Sequence, residues 1–208
     1  MFSVPAAIRR AVVVMILKVH DEFLRAGYIN GSLQSPITQG NAWFERSGEI
    51  YVNNGFCRGI TYVTNAGAQR CVGQFSVDDS TSLPGVVSAT INNYGSTGNW
   101  AVVSILFGWT NQTNYWFAQG NPAASEVQIN QVVSDTVINR ASAAQIINTA
   151  QTTVSLTKAD TGVLSFFGWG KSISYTGTTT LSTIGLIFTK SGTPPADGRC
   201  YDFKYEAP

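Results

Sequence analysis

Asp21-Glu-Phe-Leu-Arg-Ala26 and Cys200-Tyr-Asp-Phe-Lys-Tyr205 decide the reading of this chain, because Asp21-Glu-Phe23 near one end and Tyr201-Asp-Phe203 near the other carry matching alternation. In a strand, successive side chains point to opposite faces. Phe23 and Phe203 are therefore expected to enter one core from antiparallel neighbours, so that the two ends of the chain belong to one fold.

Between these ends the sequence reads as many short strands. Alternation is clearest in Val86-Val-Ser-Ala-Thr-Ile91, Val127-Gln-Ile-Asn-Gln-Val132 and Thr153-Val-Ser-Leu-Thr157. Turn chemistry punctuates them at Asn53-Asn-Gly55, Gly120-Asn-Pro122, Asp160-Thr-Gly162, Gly168-Trp-Gly170 and Gly192-Thr-Pro-Pro195. Strands with such regular punctuation imply an all-β chain of two packed antiparallel sheets. Ala141-Ser-Ala-Ala-Gln-Ile-Ile-Asn148 has helical character but is too short to alter the class.

Composition sets further bounds. The 208 residues suit one domain with one core. Thirteen basic against twelve acidic residues leave a net charge of +1, and 12% of residues are charged, so neither nucleic acid nor an anionic membrane is favoured as a partner. The surface must be built from Ser, Thr, Asn and Gln, a composition common in proteins that work outside cells or on particles.

The terminal segments, with Asn30-Gly-Ser-Leu33, Gly40-Asn-Ala-Trp43 and Trp100-Ala-Val-Val-Ser-Ile-Leu-Phe-Gly-Trp109 leading into Asn114-Tyr-Trp-Phe117, resemble the concanavalin A-like (LamG-type) jelly rolls of phage virion proteins and secreted carbohydrate-binding modules. The resemblance spans about residues 19 to 205. It implies a two-sheet antiparallel jelly-roll sandwich whose first strand is Asp21 to Arg25, with Trp43 and Gly48 before the second strand. It also implies a final strand Tyr201-Asp-Phe203 beside the first, a strand-turn-strand over Thr152 to Tyr175, and a core strand at Ile184-Gly-Leu186. At Phe166-Phe-Gly-Trp-Gly170 the chain departs from the family, placing a Trp where an Asp-Gly type of turn is expected.

Ahead of this domain, Arg9-Arg10 precedes the apolar run Ala11-Val-Val-Val-Met-Ile-Leu17. The run is short, is closed by Lys18 and lacks a small-x-small cleavage site, so it does not read as a signal peptide. It falls below the ~20 residues of a membrane helix. Residues 1–18 are expected to form an arm, with Val12, Val13, Val14, Met15, Ile16 and Leu17 serving attachment or oligomerisation; an edge strand of the same domain is the other reading. Residues 19–208 are expected to form the jelly roll. An export-like surface without an export signal suggests a component made in a host cytoplasm and displayed on a virion.

Candidate chemistry is sparse. Cys57, Cys71 and Cys200 with a single histidine, His20, lack zinc-ligand spacing. Free thiols are expected, although a Cys57–Cys71 disulfide across a hairpin at Thr64-Asn-Ala-Gly-Ala68 stays open. Glycosidases of this fold use paired carboxylates on one strand face, and no E-x-D-x-E spacing occurs; Glu45, Glu49, Asp78 and Asp79 read as solvated charges. No Ser-His-Asp pattern occurs either, so no enzymatic activity is expected.

For glycan binding, Trp109, Tyr115 and Trp116 with Asn111 and Asn114 offer rings to stack on sugars and amides to read hydroxyls. Tyr115 and Trp116 must face opposite ways. Trp169, between two glycines at a hairpin tip, is expected to be the more exposed aromatic. Asp21 and Asp202 are candidates for a structural Ca²⁺ or for ion pairs with Arg25 or Lys204; no other cofactor is implied. The function expected is a non-enzymatic virion structural protein of a tailed phage, decorating a capsid or forming part of a fibre, spike or tail. It would be a homo-oligomer contacting other virion proteins and host-surface glycans. The alternative is a stand-alone carbohydrate-binding lectin module.

Overall fold

The computed structural model describes residues 15–32, 42–65, 68–76, 85–96, 99–159, 161–177, 183–192 and 197–208. In chain order the strands are β1 (Ile16–Asp21), β2 (Ala26–Tyr28), β3 (Phe44–Ser47), β4 (Glu49–Asn53), β5 (Cys57–Thr61), β6 (Val63–Asn65), β7 (Ala68–Ser76), β8 (Gly85–Asn92) and β9 (Tyr94–Ser96). They continue as β10 (Asn99–Asn111), β11 (Asn114–Asn121), β12 (Glu126–Val133), β13 (Thr136–Ala144), β14 (Thr152–Lys158), β15 (Val163–Gly168), β16 (Lys171–Thr176), β17 (Thr183–Ser191) and β18 (Arg199–Ala207). Among the described residues no helix is long and apolar enough to cross a membrane.

These strands form two antiparallel sheets. The first runs β16-β15-β14-β8-β18-β5-β4-β2, and β1 also pairs with β18; the second runs β13-β12-β11-β10-β17-β7-β3, with β6 on β7 and β9 on β10. Alternation explains the packing: in β8 every second residue from Gly85 is buried, so Val87, Ala89 and Ile91 face the second sheet while Ser88, Thr90 and Asn92 face outward. From the second sheet Val103, Ile105, Phe107, Ala118, Leu186 and Phe188 complete the shared core.

The terminal strands are neighbours, as the matching alternation requires: β1 is antiparallel to β18, with Asp21 opposite Phe203. Both Phe23 and Phe203 are fully buried, and Trp43 packs between them at ring-centroid distances of 6.1 Å and 5.4 Å. Strand β1 nevertheless ends at Asp21 rather than beginning there. The Asp21 carboxylate accepts the Phe23 N–H at 2.8 Å, and Phe23 adopts a φ of 54°, so the chain leaves extended geometry after the aspartate.

Two further expectations are corrected. Residues Ala141–Ala144 belong to β13, registered against β12, because Ala141 and Ala143 pack on the core with a two-residue period. The hairpin around Ala68 joins β6 to β7, both in the second sheet, whereas β5 belongs to the first. The chain therefore changes sheets at Tyr62, and Cys57 and Cys71 are not cross-strand partners. All three cysteines are free and buried.

Candidate functional site

The carboxylates expected as a metal pair do not converge. Asp21 projects inward on β1 and is wholly buried; Asp202 lies one residue before the inward Phe203 and so faces the other way. Asp21 accepts hydrogen bonds from Phe23 N, from Arg25 Nη1 at 2.7 Å and Nη2 at 2.8 Å, and from Trp43 Nε1 at 2.7 Å. This bidentate, charge-assisted node joins the first strand to the segment before β3. Outside, Asp202 binds His20 Nε2 at 2.9 Å and Lys204 Nζ at 2.8 Å. Asp21 is thus paired with Arg25 and Asp202 with Lys204.

The aromatic group expected to bind sugars divides between two faces. Trp116 points into the shared core, stacked on Phe107 at 6.1 Å, while Tyr115 points to the outer face of the second sheet. There Trp109, partly buried, stacks on Tyr115 at 5.1 Å, and the Arg70 guanidinium donates to the Tyr115 hydroxyl at 3.1 Å. Burial raises the Tyr115 phenol and lowers the Arg70 guanidinium from their ordinary values. Beside them runs a buried ladder of amides. Gln128 Oε1 accepts from Gln119, Asn121 and Asn130, and Gln119 Oε1 accepts from Ser104.

These amides bond one another rather than presenting free groups. The turn amides are similarly engaged: Asn111 Oδ1 accepts from Thr113 and Asn114, and Asn114 Oδ1 accepts from Ser134 N.

Trp169 is not a projecting tip. It and Gly170 form the two-residue loop between Gly168 and Lys171, with φ of 52° and 77°, the type I′ pattern that Asn-Gly or Asp-Gly ordinarily fills. The indole compensates for its strained backbone by lying over Gly120, where an added Cβ would stand 2.4 Å from the ring. Of the arm residues, Val12, Val13 and Val14 fall outside the described residues. Met15 precedes β1, and Ile16 and Leu17 open it opposite Ala207 and Glu206 with exposed side chains, so the boundary at 18/19 falls inside a strand.

A different surface carries open aromatic and charged groups. On the outer face of the first sheet Tyr28, 57% exposed, meets Tyr51 edge-on at 5.7 Å, with Tyr51 opposite Arg58 on β5. Arg58 donates to Asp197 at 2.7 Å, with both side chains about a third exposed. Next to them Phe56 packs on Tyr201 at 6.0 Å and carries the Arg199 guanidinium 4.6 Å above its ring. Arg199 Nε is buried with no hydrogen-bond partner among the described residues. Sequence reasoning missed this group, yet a signal existed: Tyr51 lies between the inward Ile50 and Val52, so alternation alone turns it outward.

Of the acids read as solvated charges, Asp78 and Asp79 lie outside the described residues, and Glu45 and Glu49 sit on different sheets. Glu45 on β3 accepts Ile50 N at 2.7 Å, and burial, opposed by that bond and aided by Glu49, raises its carboxyl. Glu49 on β4 accepts the Thr61 hydroxyl.

No family model matches this chain, and no curated protein matches it in sequence. Among solved structures it is similar to the carbohydrate recognition domain of Emp47p, at 10% identity over 93% of this chain and 96% of that one, with a TM-score of 0.63. It is also similar to the carbohydrate binding module CBM66 from Bacillus subtilis, at 11% identity over 75% and 94% of the two chains, TM-score 0.55. A third is the VIP36 exoplasmic/lumenal domain in a Ca²⁺/Man3GlcNAc-bound form, at 9% identity over 87% and 89%, TM-score 0.54. The fold is that of the lectin-like jelly rolls.

Proposed function

We propose that this chain is a non-enzymatic glycan-binding module whose ligand surface is the open face of the first sheet over β2, β4, β5 and β18. The observation that carries the reading is the group Tyr28, Tyr51, Phe56, Arg58, Arg199 and Tyr201, whose rings and guanidiniums are held by tertiary contacts while remaining partly exposed. Flat rings stack on the C–H faces of sugars, and guanidiniums donate to their oxygens. The Trp109–Tyr115 group is the weaker candidate, because its polar partners already satisfy one another.

That the similar structures are carbohydrate-binding domains supports this reading above a structural role in a virion, and so reverses the order suggested by the sequence. Open-face contacts are individually weak; display in many copies on a particle would supply avidity. A glycan array probed with the wild-type chain, Tyr51→Ala and Arg199→Ala, alongside a reducing-sugar assay on bound glycans, tests the proposal. Binding lost in both variants with no released reducing ends is expected. Binding unaffected by both, or release of reducing ends, would overturn it.

A further inference from the structure

The first sheet is joined unequally on the two sides of β18. Toward β8 the register runs from Arg199 opposite Asn92 to Glu206 opposite Val86; toward β5 one registered pair occurs among the described residues, Cys200 opposite Cys57. Directly opposed residues of antiparallel strands have Cα atoms about 4.5 or about 5.5 Å apart. Both distances lie within the span a disulfide bridges, roughly 4.4–6.8 Å. Both side chains are fully buried in the shared core, so they point to the same side of the sheet. We propose that Cys57 and Cys200 are a disulfide-forming pair that closes this seam covalently, with Cys71 left as the free thiol.

The reaction is an exchange with a low-molecular-weight disulfide such as oxidised glutathione. One cysteine loses its proton, and its sulfur attacks the oxidant, forming a mixed disulfide and releasing one thiol. The second cysteine then displaces a second thiol, so two protons and two electrons pass from the pair to the oxidant. Burial, then contact with the Cys200 thiol, holds the Cys57 thiol protonated in the closed protein. Exchange therefore takes place as the chain folds or when the seam opens. Cys71 sits on the other sheet, where its thiol donates to the Thr61 carbonyl at 2.7 Å and burial pushes it up to about 12. The bond would lie beneath Phe56, Arg58, Arg199 and Tyr201, all adjacent to the seam, but its formation does not depend on those residues binding a glycan.

The full chain, refolded in a glutathione buffer containing the oxidised form, would be digested without reduction and its linked peptides identified by mass spectrometry. The expected result is a Cys57–Cys200 peptide pair lighter by two hydrogens, present also in Cys71→Ala and absent in Cys57→Ala. Native protein should form the same bond faster in sub-denaturing urea, with an upward shift in its subsequent unfolding midpoint. Three free thiols after refolding, or a linkage involving Cys71, would overturn the proposal. The glycan array leaves it untouched, so the two ideas fail separately.

Discussion

The first sheet has two halves that hold together by different means. From β16 to β18 it is a continuous ladder: β14 is registered on β8 from Thr152 opposite Ile91 to Lys158 opposite Gly85, and β8 on β18 along its length. From β5 to β2 the strands are laddered on one another, but among the described residues this group joins β18 through the single Cys200–Cys57 pair, through the backbone bonds of Asn54 N and Gly55 N to the Arg25 and Phe23 carbonyls, and through side chains that reach across: the Asp21–Arg25–Trp43 node, the Phe23–Trp43–Phe203 stack and the Arg58–Asp197 pair. The ladder half presents hydroxyls outward, such as Thr90 bonded to Thr153. The side-chain half presents rings and guanidiniums. A backbone ladder fixes register whatever faces outward, whereas the other half depends on particular residues, and there the open surface has become distinctive.

Removing the node should expose the difference most strongly. Asp21→Ala removes the carboxylate that the buried Trp43 N–H and the Arg25 guanidinium share, leaving Arg25 its bond to Ser32 Oγ, and breaking a buried pair in this way costs about 3–5 kcal/mol. In urea unfolding followed by hydrogen exchange, protection in β2 and β4 should be lost well before that in β8 and β14. Simultaneous loss would make the sheet one cooperative unit. Phe203→Ala should destabilise by about 3–5 kcal/mol, since it opens a cavity against Trp43 at the joint of the two halves. A loss below about 1 kcal/mol, well under that range, would remove Phe203 from its assigned place.

Gly120→Ala tests the strained hairpin that caps the ladder half. A methyl 2.4 Å from the Trp169 ring forces the indole from its seat, with an expected loss of about 1–3 kcal/mol. Pairing it with Trp169→Asn, which suits the type I′ turn, should abolish most of that penalty.

A smaller effect is expected at Glu45. Burial raises its folded-state carboxyl above the ordinary 4.5, so the folded chain holds this proton more tightly than the unfolded one. Its contribution to stability is complete below the ordinary value and is lost as pH rises through the raised one. Glu45→Gln keeps an acceptor for Ile50 N and should narrow the difference in urea midpoint between about pH 4 and about pH 7. An unchanged difference would assign the pH dependence elsewhere.

What the sequence disclosed divides along the same line. Period-two alternation announces β8, β12 and β14, and paired alternation at the termini places β18 beside β1, since both signals lie in neighbouring residues. The sheet change at Tyr62 was hidden, because β5 and β6 are separated by a single residue and turn signals cannot say to which sheet each belongs. The end of β1 was also hidden, set by an aspartate that also serves Trp43, twenty-two positions away. At the candidate site, the opposite orientations of Tyr115 and Trp116 were legible from alternation. The bond from Ser134 N to Asn114 was not, nor was the packing of Trp169 over Gly120, since both join residues far apart in the sequence.

The central claim is that the open surface over the side-chain half binds glycans, and binding of an array-positive glycan by wild type, Tyr51→Ala and Trp109→Ala measured in parallel tests it most directly. Tyr51 lies outward on β4, outside the core but against Tyr28, so the urea midpoint of Tyr51→Ala measured alongside separates a change in binding from a change in the fold. The account predicts that Tyr51→Ala loses at least about tenfold in affinity, equivalent to about 1.4 kcal/mol, while Trp109→Ala binds as wild type does. No glycan bound by the wild-type chain, or loss on removing Trp109 with Tyr51→Ala unaffected, would contradict it.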